Sequence, residues 1–154
     1  MIIPCLQSRK HRVWCPGQSD CDHPDRLCSD LVKDYHAAQT LMKKHPNRIR
    51  VIRYEDFCLD IKTNAASILD FFGFKMHTKV AKFINSHTHE NIGGVSSTFR
   101  DSKNAPYHWR NELSFAEVQH IQDKCRQAMK LWGYKKADTS KELEDLEPLL
   151  TYHL

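Results

Sequence analysis

Between Arg26 and Lys44 the apolar residues Leu27, Leu31, Tyr35, Ala38, Leu41 and Met42 recur every three or four positions, which predicts one face of an amphipathic helix. Lys43, Lys44 and His45 occupy its last turn, where positive charge complements the helix dipole, and Pro46 stops it. The stretch from Arg48 to Phe57 then reads differently. Ile49, Val51 and Ile52 form a β-branched centre, predicting a short strand over 49–54 that breaks into a polar Tyr54-Glu55-Asp56 corner. Helical spacing returns from about Lys62 to Phe72, with Ala65, Ile68, Leu69 and Phe72 inward and Gly73 as the stop. A shorter helix over about Thr78 to Ser86 carries Val80, Phe83 and Ile84.

From His87 to His108 periodicity is lost. This stretch is polar, contains Gly93-Gly94, and ends in Tyr107-His108-Trp109-Arg110. Loops of such length inside a compact domain are usually functional or disordered, and the aromatic and arginine end argues for function. The best-delimited helix follows. Ser114-Phe115-Ala116-Glu117 is a capping box, Leu113 can staple against Val118, and Val118, Ile121, Cys125, Ala128, Met129 and Trp132 form a core stripe that ends at Gly133. Residues 135–154 read as an acidic, leucine-containing tail, either adding a short helix or staying mobile. The organisation expected is therefore one domain over 1–134 and a tail over 135–154.

Helix, strand, corner, helix is the signature of one unit of a parallel α/β sheet, in which ligands sit beyond the carboxyl ends of strands. On that pattern Tyr54 to Asp56 should lie close to any active site. Glu55 and Asp56 have the alternative of capping the next turn or pairing with Arg50 or Arg53.

Composition narrows the class. A chain of 154 residues, 40% hydrophobic and 27% charged, suits one soluble globular domain. Its apolar runs are too short to span a membrane, and no signal peptide is visible at Met1. Residues 1–54 hold ten Lys/Arg against five Asp/Glu, which suits an anionic ligand but is too dilute for a nucleic-acid stripe. Six cysteines at 5, 15, 21, 28, 58 and 125 fit a secretory-pathway domain with one to three bridges whose pairing the sequence leaves open. Cys15, Cys21, His23 and Cys28 also invite a zinc reading, although the spacing lacks the paired C-x-x-C knuckle.

The usual nucleotide-loop, zinc-protease and nucleophile-elbow signatures are missing. Three places can carry chemistry. Ser8-Arg9-Lys10-His11-Arg12 can hold a phosphate through a hydroxyl and guanidinium groups. Tyr54 can stack on a flat ring or bond a ligand. Ser96 to Ser102, with Arg100 among hydroxyls beside a Gly-Gly hinge, can close over a polyanion. The competing readings are a solvated basic start, a structural corner and a mobile surface loop.

These places coincide with a known pattern. Arg53-Tyr54-Glu55-Asp56-Phe57 followed by Ile68-Leu69-Asp70-Phe71-Phe72-Gly73, then Thr98-Phe99-Arg100-Asp101-Ser102 with Trp109-Arg110, then Cys125 and Leu131-Trp132-Gly133-Tyr134 resemble the C-terminal half of the Golgi carbohydrate 6-O-sulfotransferases. The match runs over about Leu27 to Tyr134. It implies an α/β, P-loop-NTPase-like sulfotransferase fold, present here in part, mostly helical with one or two parallel strands. It also implies 3′-phosphoadenylyl sulfate (PAPS) as co-substrate, with no metal required.

Carried over by residue, Ser8 and Arg9 would meet the donor's 3′-phosphate and Tyr54 would lie near its adenine. Arg100 would close over its phosphates with Thr98 and Ser102 in the same loop, while Cys28 and Cys125 would be structural. The resemblance assigns the general base to none of His36, His87 and His108, which qualify by chemistry alone. The family's arginine before Ser8, its 5′-phosphosulfate loop and its transmembrane anchor have no counterpart here, so the expectation is a fragment, inactive alone, of a type II Golgi-lumen enzyme. Its partner would be a glycan acceptor on a glycoprotein or proteoglycan, not nucleic acid, with membrane contact only through the missing anchor and a homodimer allowed. The rival readings are a catalytically dead nucleotide- or glycan-binding module of the same fold and a small zinc-binding interaction protein.

Overall fold

A computed structural model describes residues 13–15, 18, 21, 23–94, 97–145 and 147–154. The chain divides into two compact units: one runs from Ile52 to His108, and the other joins the residues up to Val51 with Trp109–Leu154.

In the second unit, α1 spans Pro24–Lys44, with Pro24 and Asp25 in its first turn and Lys43 and Lys44 in its last. These placements suit the unpaired N–H groups and the dipole at each end. Chain reversal follows at Asn47, whose φ of 62° lies in the left-handed region. α1 packs on α5 (Phe115–Lys124) and α6 (Arg126–Leu131). The sequence predicts a single helix from the capping box to Trp132; instead it relaxes at Cys125, which has φ −98° and ψ 9° and is the residue bonded to Cys28. The capping box at Ser114 and Glu117 forms as expected, with both reciprocal bonds present.

The core here is Cys28, Ile121, Cys125, Ala128 and Met129, flanked by Leu27, Leu31 and Val32. A second cluster gathers Trp109, Val118, Ala137 and Leu143. Several described residues of 135–154 are anchored. Gln122, almost fully buried, donates to the Ala137 carbonyl at 3.0 Å and accepts from the Ala137 N–H at 2.8 Å. Beyond α7 (Ser140–Asp145), an antiparallel bridge pairs Tyr134 with Leu149. Tyr35 then donates its hydroxyl to the His153 carbonyl, while Trp132 donates Nε1–H to the Leu31 carbonyl at 2.8 Å and touches Tyr152.

In the unit from Ile52 to His108, α2 spans Tyr54–Leu59, α3 Ile61–Phe71 and α4 Thr78–His87. Asp60 caps α3 by accepting from the Thr63 N–H. Gly73, at φ 76°, ends it in a Schellman turn: its N–H reaches the Asp70 carbonyl at 2.9 Å and the Phe74 N–H reaches Leu69 at 2.8 Å.

Two expectations change. Among the described residues no strand forms. The segment 49–53 is extended, but a strand needs a ladder partner to be one, and none is present among them. Tyr54 is therefore the first residue of a helix and not the last of a strand. Arg53 caps that helix in extended geometry, and Glu55 and Asp56 fill the first turn, where carboxylates suit the positive helix end. The other change concerns 87–108, whose first residue ends α4 and whose last four lie in a 3₁₀ segment over Ala105–Asn111.

Candidate functional site

Of the sequence candidates, Arg100 lies near enough to Tyr54 for its charge to act on the phenol. Tyr54 opens α2, and the Arg53 guanidinium bonds Asp56 in bidentate fashion at 2.9 and 2.8 Å, which fixes the helix start. Arg53 is nearly buried, and Glu55 is 3% exposed, turned inward by the same turn. Tyr54 keeps 40% of its surface in solvent, enough for a flat ligand to lie on its ring.

Burial raises the Tyr54 phenol well above its usual range, and a hydrogen bond with the Cys58 side chain adds to this while the nearby Arg100 charge opposes it. The phenol is thus held protonated at neutral pH, a hydrogen-bond donor and not a base. Cys58, one helical turn on, is a buried free thiol pushed up by burial and partly relieved by its bond with Tyr54.

Arg100 reaches this region from the loop after α4. Its Nη1 donates to the Phe99 carbonyl at 2.6 Å and its Nη2 to the Gly94 carbonyl at 3.1 Å, so the guanidinium is oriented by its own loop. That loop is itself held: the Ser97 hydroxyl donates to the Ile92 carbonyl and accepts from the Phe99 N–H, and the Asp101 N–H donates to Asn91 Oδ1 at 3.1 Å. Thr98 sits exposed on it. Ser102 is 8% exposed, with its hydroxyl 3.5 Å from the Arg100 carbonyl oxygen, a geometry that favours a structural over a ligand-binding role. Ser8 and Arg9 lie outside the described residues.

Beside this pair opens a cleft of about 390 Å³, lined among others by Cys58, Asp60, Lys62, His89, Ser102 and Lys103. Hydrogen bonds from Thr63 hold the Asp60 carboxyl below its usual range, with Lys103 and Lys62 contributing. Sequence reasoning passed over these lysines and Cys58. Reading 54–59 as a helix would have shown Cys58 one turn below Tyr54, whereas the lysines carry no local signal.

Of the histidines that qualify by chemistry, His36 and His108 are exposed and His87 is half-buried between two rings. The zinc reading fails on its donors. Cys15 is bonded to Cys21 and Cys28 to Cys125, which removes three of the four thiol or imidazole ligands from service. An aromatic face, an oriented guanidinium and a lysine-bearing cleft suit a nucleotide with anionic groups, so the residues present fit the co-substrate that the sequence resemblance implies.

A family model described as a sulfotransferase domain matches residues 26–133. The chain is 29% identical over 142 residues to carbohydrate sulfotransferase 5 of Mus musculus, covering 87% of this chain and 35% of that protein. It is 31% identical over 145 residues to carbohydrate sulfotransferase 1 of Mus musculus, covering 89% and 35%. A third relative, carbohydrate sulfotransferase 3 of Tetronarce californica, is 33% identical over 91 residues, covering 58% of this chain and 21% of its own. The chain thus spans about a third or less of the curated relatives it matches. No solved structure matches it.

Proposed function

Because the chain belongs to the sulfotransferase-domain family, we propose that it forms the donor-nucleotide side of a carbohydrate sulfotransferase, which moves a sulfuryl group from PAPS to the 6-hydroxyl of a sugar in a glycan. Supporting this reading is the loop-held Arg100 guanidinium, near enough for its charge to act on the half-exposed Tyr54 phenol. Tyr54 offers its face to the adenine and Arg100 pairs with donor phosphate oxygens. Thr98 and Ser102 flank it, and Ser8 with Arg9 holds the 3′-phosphate.

PAPS supplies the sulfuryl group. The sugar hydroxyl attacks it in line, and cationic side chains stabilise the charge gathering on the bridging oxygen, by the electrostatic logic of phosphoryl transfer. The segment 49–53 is extended but unpaired among the described residues, and in this reading it would join a parallel sheet once a neighbouring strand supplied the ladder. Two disulfides suit an oxidising lumen such as the Golgi's, where glycan acceptors are processed.

The test is transfer of labelled sulfate from PAPS to a panel of glycans by the full-length protein. Sulfate is expected at sugar C6. Arg100→Ala should raise the donor KM by roughly 10- to 100-fold, the worth of a hydrogen bond to a charged group. Unchanged donor affinity would remove Arg100 from the site, and nucleotide binding without any transfer would establish the catalytically dead module instead.

A further inference from the structure

The loop that carries Arg100 is fastened to the end of α4 by a stack of three rings. His87, the last residue of α4, lies between Phe83 of its own helix and Phe99 of the loop. The centroid distances are 3.9 and 4.0 Å and the interplanar angles 21° and 20°. Backbone bonds run beside the stack. The Arg100 N–H donates to the His87 carbonyl at 2.8 Å and the Ser102 N–H to the Thr88 carbonyl at 3.1 Å. The His87 Nδ1 edge sits 2.8 Å from the Ser86 hydroxyl and 3.0 Å from the Phe83 carbonyl oxygen, which fixes the ring's rotation against the last helical turn.

α4 has no fully buried residue, and Phe83 is 52% exposed. The loop is therefore held by these stacked rings and two amide bonds, not by a deep core. With both faces of the imidazole covered and its Nδ1 edge turned to the helix, the geometry favours holding over proton transfer.

We propose that His87 is a positioning residue: its imidazole, clamped between Phe83 and Phe99, docks the 97–102 loop on α4 and thereby aims Arg100 toward Tyr54. The functional half of this rests on the reading of Arg100 as a donor-phosphate ligand; the docking half does not. A flat ring is needed at this position. An alanine leaves Phe99 without a stacking surface, whereas a phenylalanine restores one without any titratable nitrogen.

The experiment is amide hydrogen exchange on the full chain, with binding of 3′-phosphoadenosine 5′-phosphate measured alongside for wild type, His87→Ala, His87→Phe and Phe99→Leu. In His87→Ala and Phe99→Leu the Arg100 and Ser102 amides should exchange roughly tenfold faster or more, because two aromatic pairs or one are lost. In His87→Phe they should stay within about twofold of wild type, while α3 amides report unchanged folding of the same unit in every variant. Nucleotide affinity should fall in His87→Ala and Phe99→Leu and be retained in His87→Phe. Unaltered exchange in His87→Ala overturns the proposal, as does His87→Phe exchanging as fast as His87→Ala. Faster exchange with no change in nucleotide affinity, in these variants and in Arg100→Ala alike, upholds the docking and overturns the donor-site reading.

Discussion

Replacing Cys28 and Cys125 together by alanine should remove the largest single stabilising element of the unit that holds α1, α5 and α6. The two residues are 97 apart in sequence and their bond closes nearly two-thirds of the chain. In the chain-entropy account a loop of this length takes about 4.7 kcal/mol from the unfolded ensemble at 25 °C. The same relation applied to Cys15 and Cys21, separated by only six positions, gives about 2 kcal/mol. The long bridge also sits in the core, with Cys28 3% and Cys125 0% exposed, so its loss leaves space among Ile121, Ala128 and Met129.

Urea unfolding without reductant, followed by circular dichroism, measures both pairs on one scale. With a slope of about 2 kcal/mol per molar urea, the midpoint should fall by roughly 2 M for the Cys28/Cys125 pair and about 1 M for the Cys15/Cys21 pair. A midpoint unmoved in the first variant, or moved less than in the second, would refute the assignment of stability to closure of the long loop.

The remaining expectations concern single residues. Ser114→Ala removes the hydroxyl that accepts from the Glu117 N–H, leaving the backbone N–H of residue 114 to bond Glu117, and should cost about 1 kcal/mol, lowering Tm by about 2–4 °C in calorimetry; an unchanged Tm would count against it. Asp60 has its folded-state carboxyl lowered by bonds from Thr63. Its stabilising effect is therefore present above the unfolded carboxyl value of about 4 and lost as pH falls through the lower folded value. The gap in urea midpoint between wild type and Asp60→Asn should be widest near neutral pH and close as pH falls below the unfolded carboxyl value, and a pH-independent gap would contradict this. The Cys58 thiol, buried and raised above its usual range, should alkylate with iodoacetamide far more slowly in the native protein than in urea at mildly alkaline pH. Equal rates would show that it is not enclosed.

Some of the molecule was legible because its signals are local. The stripe Leu27, Leu31, Tyr35 marked α1, and the sequence range Arg26 to Lys44 nearly matches Pro24–Lys44. Gly73 and Gly133 were readable as helix stops because only the left-handed backbone of 76° and 66° closes those turns without penalty. The capping box needed only residues three apart. Tyr54 and Arg100 were singled out by residue type and by resemblance, and the Arg100 charge acts on the Tyr54 phenol. Ser102 was chosen in the same way and lines the cleft, its hydroxyl 3.5 Å from the Arg100 carbonyl oxygen.

What stayed hidden depends on partners distant in the chain. Ile49 to Arg53 has the β-branched chemistry of a strand, but a strand exists only as one side of a ladder, and helix α2 takes over at Tyr54 instead. Any pairing of six cysteines satisfies composition equally, so the Cys28–Cys125 bond is decided by the packing of α1 on α5 and α6. For the last twenty residues the sequence left open a short helix or a mobile tail, because their anchors are single contacts: Gln122 to Ala137, Tyr35 to the His153 carbonyl. The ring stack at His87 joins its i−4 neighbour Phe83 to Phe99, twelve positions on, and no period links that second partner. By itself the sequence determined where most helices lie and which polar residues were worth watching, since periodicity and capping act over one or two turns. Tertiary structure alone decided which of those residues meet, because burial and long-range bonds are set by the folded chain and not by any window along it.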